Sequence, residues 1–198
     1  MSVEQETNAA ENLFLSSSKD SNRKSEEEEK LVVKERQEAR ERYQDLITMV
    51  SARYESLPEK VRADFIVHNQ EILDNVVEVG IKKEMKPEEL KALEISAILH
   101  DLNKADAPPE KLKDVPNYTL IAHGELAAEE SKKILTDEKL KAYGFEGDLE
   151  AVRAMVSEAI REHMGPHPGF MTAMLEKANA ILRAKGEKEI TAKANLNE

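Results

Sequence analysis

Residues 149–163 read LEAVRAMVSEAIREH. Leu149, Val152, Val156, Ile160 and His163 recur three or four residues apart, which places them on one face of an α-helix. Asp148 stands where a side-chain oxygen can cap that helix, and Gly165, Pro166, Pro168 and Gly169 break the chain after it. No stretch of useful length alternates apolar and polar residues with the period of two that a strand needs. The stripe is not wholly aliphatic. His163 sits in line with Val156 and Ile160, and a polar residue on an apolar face is informative.

The same spacing extends outward in both directions. Downstream, a helix from about Phe170 to Lys185 ends at Gly186, in the position of a C′ glycine. Upstream, Thr136 is placed to cap a short helix that stops at Gly144, and a longer helix covers about Thr119 to Leu135. Pro87 opens a helix with Leu90, Leu93, Ala97, Ile98 and Leu99, which ends near Asn103–Asp106 ahead of Pro108 and Pro109. Pro58 opens another that runs to Gly80 on a face including Phe65, Ile72, Leu73, Val76 and Val77. Tyr43, Leu46, Ile47, Val50 and Tyr54 form the stripe of an earlier helix. Its start is the capping-box form Ser25-Glu26-Glu27-Glu28, followed by residues polar nearly all round that are expected to project into solvent. The pattern predicts an all-α protein of six or seven helices. A disordered acidic tail is expected at 1–24, a polar helical arm at 25–42, a single helical-bundle domain at 43–186 and a frayed tail at 187–198.

The 198 residues include 40 acidic and 29 basic side chains, a formal charge of −11 at pH 7. That balance repels phosphate backbones, so non-specific nucleic-acid binding is not expected. There is no cysteine, which excludes a disulfide, a thiolate zinc site or a cysteine nucleophile within this sequence. No apolar run approaches the roughly 20 residues of a membrane-spanning helix. MSVEQETNAAENLF has neither the basic nor the apolar stretch of a secretory signal, and a cytoplasmic protein without membrane contact is the expectation. The island Leu13-Phe14-Leu15 and the 25–42 arm are candidate contacts with a protein partner or a second copy.

Five histidines occur, at 68, 100, 123, 163 and 167. His100 closes the run Ala97-Ile98-Leu99 and is followed by Asp101, while His68 follows Phe65-Ile66-Val67. Inward imidazoles from separate helices of one bundle converge in its core, where helical proteins build metal sites. Imidazole with carboxylate suits Mn, Fe, Co, Ni or Zn better than Ca and does not choose among them.

In context these residues read FIVHNQ, ISAILHDLNKAD, IAHGELAAEE and AIREHM. This order resembles the HD superfamily of metal-dependent phosphohydrolases, named for its His-Asp doublet. AILHDLNK resembles the family's apolar-apolar-His-Asp-x-x-Lys motif, His123-Gly124 a second block and Ile160–His163 a third. HMGPHPGFMTAMLEKANAIL, with Met171 and Leu175-Glu176-Lys177, resembles the stretch after the last histidine in bacterial HD hydrolases of dinucleoside tetraphosphates. The HD-GYP phosphodiesterases would place His-His at 163–164, where this chain has Met164.

The resemblance implies an HD-type all-α fold and one or two divalent transition-metal ions. It implies that His68, His100 and Asp101 hold one ion and that His123 and His163 complete an adjacent site. Two ions about 3.5–4 Å apart activate a water toward phosphorus. Asp101 would orient that water, and Lys104, one turn on, would hold a phosphate oxygen as charge develops. His167 is a further candidate for contact with the substrate phosphate. The chain departs from the family at its last ligand, an Asp on the final helix, because no Asp follows Asp148. Three registers put Arg183, Asn179 or Lys185 there, and of these only Asn179 offers a carbonyl oxygen as a replacement. The implied function is cleavage of a phosphate ester or anhydride of a nucleotide or dinucleotide by metal-activated water. The alternative is a catalytically inactive HD-fold protein that binds a nucleotide or a partner in a regulatory role.

Overall fold

The structure, a computed structural model, describes residues 27–163 and 169–190. All regular structure among these residues is helical. The helices are α1 (27–42), α2 (Gln44–Arg53), α3 (Glu59–Lys82), α4 (Pro87–Leu99), α5 (Tyr118–Ile134), α6 (Asp137–Ala142), α7 (Leu149–Glu162) and α8 (Gly169–Ala184). A 3₁₀ turn at Glu110–Leu112 precedes α5. Eight helices stand where six or seven are expected, because Tyr43, at φ −110° and ψ 23°, divides the first into two. None of the helices among the described residues is long and apolar enough to cross a membrane.

Two of the expected caps form. Thr136 Oγ1 accepts the Lys139 N–H, and Asp148 Oδ1 accepts the Ala151 N–H at 3.0 Å. Gly186, at φ +69°, takes the left-handed conformation that ends α8. Ser25 and its capping box lie outside the described residues, as does the 1–24 tail. Gly80, expected to end α3, lies inside it and is buried against Leu90 of α4.

α4 is the central element. Ala92 and every residue from Glu94 to Leu99 are buried, so the helix is covered nearly all round by α2, α3 and α7. Leu46, Leu73, Val77, Ile95, Leu99 and Ile160 belong to the main core around it. A smaller core of Leu112, Val115, Ala122, Ala178, Leu182 and Ile190 seats α8 against α5.

Both ends of the expected 43–186 unit extend. α1 does not project into solvent: Val32 and Ala39 are buried. Arg36 bonds the Asp74 carbonyl and Glu78, and Arg40 pairs with Asp74, all on α3. The docking rests largely on paired charges, and apolar periodicity does not report those. At the other end Ile190, expected to fray, is buried, and its N–H and C=O both bond the Asn179 amide at 2.9 Å. Residues 191–198 lie outside the described residues. The bundle brings the middle of α3, the C-termini of α4 and α7 and the first half of α5 to one place.

Candidate metal centre

α4 ends in a tightened turn, with Leu102, Lys104 and Asp106 each donating to a carbonyl three residues back. Pro108 and Pro109 follow, and they cannot continue a helix. His100 and Asp101 stand on that turn, buried at the negative end of the α4 dipole. His163 stands at the corresponding end of α7, His123 is fully buried on α5, and His68 is half-exposed on α3.

The Asp101 carboxylate is the hub. Its Oδ2 lies 3.4 Å from His100 Nε2, 3.7 Å from His68 Nε2 and 2.8 Å from Lys104 Nζ. Its Oδ1 lies 3.3 Å from His123 Nε2 and 3.8 Å from His163 Nε2, buried and with no hydrogen-bond donor. Two groups of three ligand atoms therefore share one carboxylate: His68, His100 and Asp101, and Asp101, His123 and His163.

The backbone assigns the tautomers. Nδ1 of His100 is 2.7 Å from the Ala97 carbonyl, Nδ1 of His123 is 2.7 Å from that of Leu120, and Nδ1 of His163 is 2.5 Å from that of Ile160. A carbonyl only accepts, so each Nδ1 carries the proton and each Nε2 presents a lone pair. His123 Nε2 and His163 Nε2 face one another at 3.2 Å, beside the undonated Asp101 Oδ1. Three lone-pair atoms converging on one buried point require a cation or an added proton between them. Nitrogen and oxygen ligands about 2.0–2.1 Å from a tetrahedral ion stand about 3.3–3.4 Å apart; two of the three separations here are 3.2 and 3.3 Å, and the third, from His163 to Asp101, is 3.8 Å. The donor set fits a divalent ion.

The electrostatics agree. Burial alone would raise the Asp101 carboxyl; the Lys104 ammonium, 2.8 Å from Oδ2, opposes it, and the carboxyl is held below its ordinary range. Burial pushes His163 down to about 4 and lowers His100 as well, so both are neutral ligands at neutral pH. The unfolded chain protonates those imidazoles near pH 6.5, whereas the fold keeps them neutral to lower pH. Metal-free protein is therefore expected to lose stability as pH falls from about 6.5 toward 4, by on the order of 3 kcal/mol for His163. Thermal melts across that range check this, and His163→Gln should flatten the descent.

Gly124 sets how closely α7 approaches α5. A methyl at that position would stand 3.1 Å from His163 Cε1 and 3.4 Å from the Ile160 carbonyl. Gly124→Ala is expected to turn the His163 ring and to weaken Mn²⁺ binding about tenfold. Calorimetric titration with Mn²⁺ reads the effect, and an unchanged affinity would show that the close approach is not needed.

Behind the cluster lies a layer of which the sequence offers only Asp106, in LNKAD, as a candidate. The Tyr54 hydroxyl donates to the Asp101 carbonyl at 3.2 Å and accepts from Asn69 Nδ2 at 3.3 Å. Asn103 Nδ2 donates to Asp106 at 2.7 Å and to Glu130 at 2.8 Å, and Arg53 pairs with both carboxylates. These bonds fasten the doublet's turn to α2, α3 and α5. In the sequence Tyr54 reads as one more member of an apolar stripe, and nothing marks Glu130.

Of the remaining expected site residues, Lys104 lies at the cluster and Asn179 does not. Lys104 is bonded to Asp101, with its ammonium 5.5 Å from the centre of the Phe65 ring. Asn179 is not a replacement ligand: both ends of its amide are engaged by Ile190 in the smaller core. An inward position on α8 meets that core instead of the histidines. His167 lies outside the described residues.

The HD domain family model matches residues 70–195, and the chain belongs to that family. Members of this family are generally hydrolases and bind divalent metals. The comparison with curated proteins finds no match, and the comparison with solved structures finds none.

Proposed function

We propose that the protein is a metal-dependent phosphohydrolase that cleaves a phosphate ester or anhydride of a nucleotide or dinucleotide with an activated water. The observation that carries this reading is the buried, undonated Asp101 Oδ1 between the Nε2 atoms of His123 and His163. His68, His100 and Asp101 would hold one ion, and Asp101, His123 and His163 a second. A bound transition-metal ion there, Mn, Fe, Co, Ni or Zn, supplies Lewis acidity toward a phosphoryl oxygen and toward water. Asp101, ionised at neutral pH, accepts a hydrogen bond from the attacking water and orients it. The three carbonyl-bonded imidazoles hold their Nε2 atoms inward. Lys104, at the mouth of the cluster, donates to a phosphate oxygen as negative charge grows on it. The nucleotide part of the reading rests on residues 163–182, which resemble the bacterial hydrolases of dinucleoside tetraphosphates.

One observation favours the second reading, an inactive protein that keeps the site for binding. With Asn179 committed to Ile190, α8 offers no replacement for the absent Asp ligand. The two readings separate by measurement. Purified protein is expected to carry one or two transition-metal ions per chain, lost in His100→Ala, and to release phosphate from a nucleotide panel. Metal without turnover on any ester would leave the binding reading. No metal after loading with Mn²⁺ or Fe²⁺ would overturn the hydrolase reading and leave an inactive protein that binds a partner.

A further inference from the structure

Beside the histidines, α3, α4 and α7 enclose a cleft of about 330 Å³, a size common among ligand sites. The imidazoles of His68, His100 and His163 form one wall. Ile72 and Val76 of α3, Leu93 and Ala97 of α4 and Ala159 of α7 form the rest. Among the described residues no lysine, arginine or carboxylate lines it. Its one hydroxyl, on Ser96, is turned to the Ala92 carbonyl at 2.8 Å and lies 3.4 Å from that of Val156. The apolar surface continues past the rim. Val79, three residues after Val76, is 48% exposed, and Met155, four before Ala159, is 43% exposed. Contiguous apolar surface facing water marks a place that is covered in use.

We infer that this cleft receives the alcohol part of a phosphate monoester, that this part is an apolar aryl or alkyl group, and that the single phosphate lies on the histidine cluster. The inference rests on the hydrolase reading of the cluster as a phosphate-binding metal centre, and it sets an apolar alcohol in place of the nucleotide proposed above. Apolar walls favour a ligand that gives up apolar area to them. A polyphosphate chain reaching past the histidine wall would bring further charges against side chains of α3, α4 and α7 that hold no cation, and unpaired charge is costly to desolvate. Apart from the imidazoles of the histidine wall, the donors and acceptors on the edge of a nucleobase would meet no free partner among those side chains. An apolar monoester asks for neither. In its hydrolysis the water oxygen bonds to phosphorus, the ester P–O bond breaks, and the alcohol leaves with one of the water's protons. The cleft thus ranks apolar monoesters ahead of nucleoside polyphosphates at this site.

The test uses the full chain loaded with Mn²⁺ and a ligand that cannot be hydrolysed. Calorimetry should show 1-naphthylmethylphosphonate binding at least about tenfold tighter than methylphosphonate. Ala159→Phe, which fills the cleft away from the ligands, should remove that difference while Mn²⁺ content stays the same. Val76→Phe serves if the first variant does not fold. Equal binding of the two phosphonates, as when a second copy or the chain's own tail covers the cleft, overturns the inference. So does a naphthyl preference that survives both fillings. Hydrolysis of diadenosine tetraphosphate with a kcat/KM tenfold above that of 1-naphthyl phosphate also overturns it, and leaves the hydrolase reading intact. A naphthyl preference without hydrolysis of any ester supports the cleft and removes the hydrolase reading.

Discussion

Asp101→Asn is expected to abolish metal binding and phosphate release together while leaving the metal-free fold close to the parent in stability. Asp101 is the one carboxylate common to both ligand groups, and its two oxygens face four Nε2 atoms at 3.3–3.8 Å. An amide is uncharged, and its NH₂ donates where the carboxylate only accepts. Placed against the lone pairs of His123 and His163, that NH₂ fills the space an ion would take. Affinity for Mn²⁺ should fall at least about 100-fold, since even partners behind a ligand are worth about 10–100-fold. The same substitution gives the converging lone pairs a donor but takes the charged partner from Lys104, so the two effects oppose and the melting temperature of the metal-free protein should stay close to that of the parent. A merely structural aspartate would behave in the opposite way, with lost stability and no defined effect on metal. Retention of wild-type metal content in Asp101→Asn would sink the assignment.

The centre was legible to different depths. α7 could be read because one stripe carries all of its buried face except Ser157, and His163 could be read because it lies in that stripe. His100-Asp101 could be read because it closes the only helix buried nearly all round among the described residues, so a charged residue there must meet something inside. Spacing along one helix reports inward or outward, and it does not report which neighbour lies inward. Asn179 shows this: its half-buried face was anticipated, but α8 turns it to Ile190. The fastening layer was not legible, because Tyr54, Asn69, Asn103 and Glu130 come from four separate segments and meet only in the fold. The same holds for α1. Its exposed charges read as a solvated rod, yet several are half of a pair whose other half is more than 30 residues away.

Arg42→Ala tests whether that first helix belongs to the folded unit, and it is expected to cost about 2–3 kcal/mol at pH 7. Glu94 is buried in the middle of α4, where it accepts from Arg42 Nη1 at 3.0 Å and from the Tyr43 hydroxyl at 2.9 Å. Burial raises its carboxyl above the ordinary value even with both partners present. Without the guanidinium the charged form keeps only the phenol, and its pKa rises further. A raised carboxyl binds its proton in the folded state at a pH where the unfolded chain has released it. Its contribution is thus full at low pH and is lost as pH rises through the folded value. The deficit of Arg42→Ala against the parent should accordingly be largest at pH 7–8 and shrink toward pH 4.5, where Glu94 is protonated in the variant. The histidine-linked descent is common to both proteins and cancels in that difference. Adding Glu94→Gln should restore most of the loss, because glutamine still accepts from Tyr43 and needs no counter-charge. A deficit below about 0.5 kcal/mol, typical of an exposed pair, or one that does not change with pH, would return α1 to the status of a solvated arm.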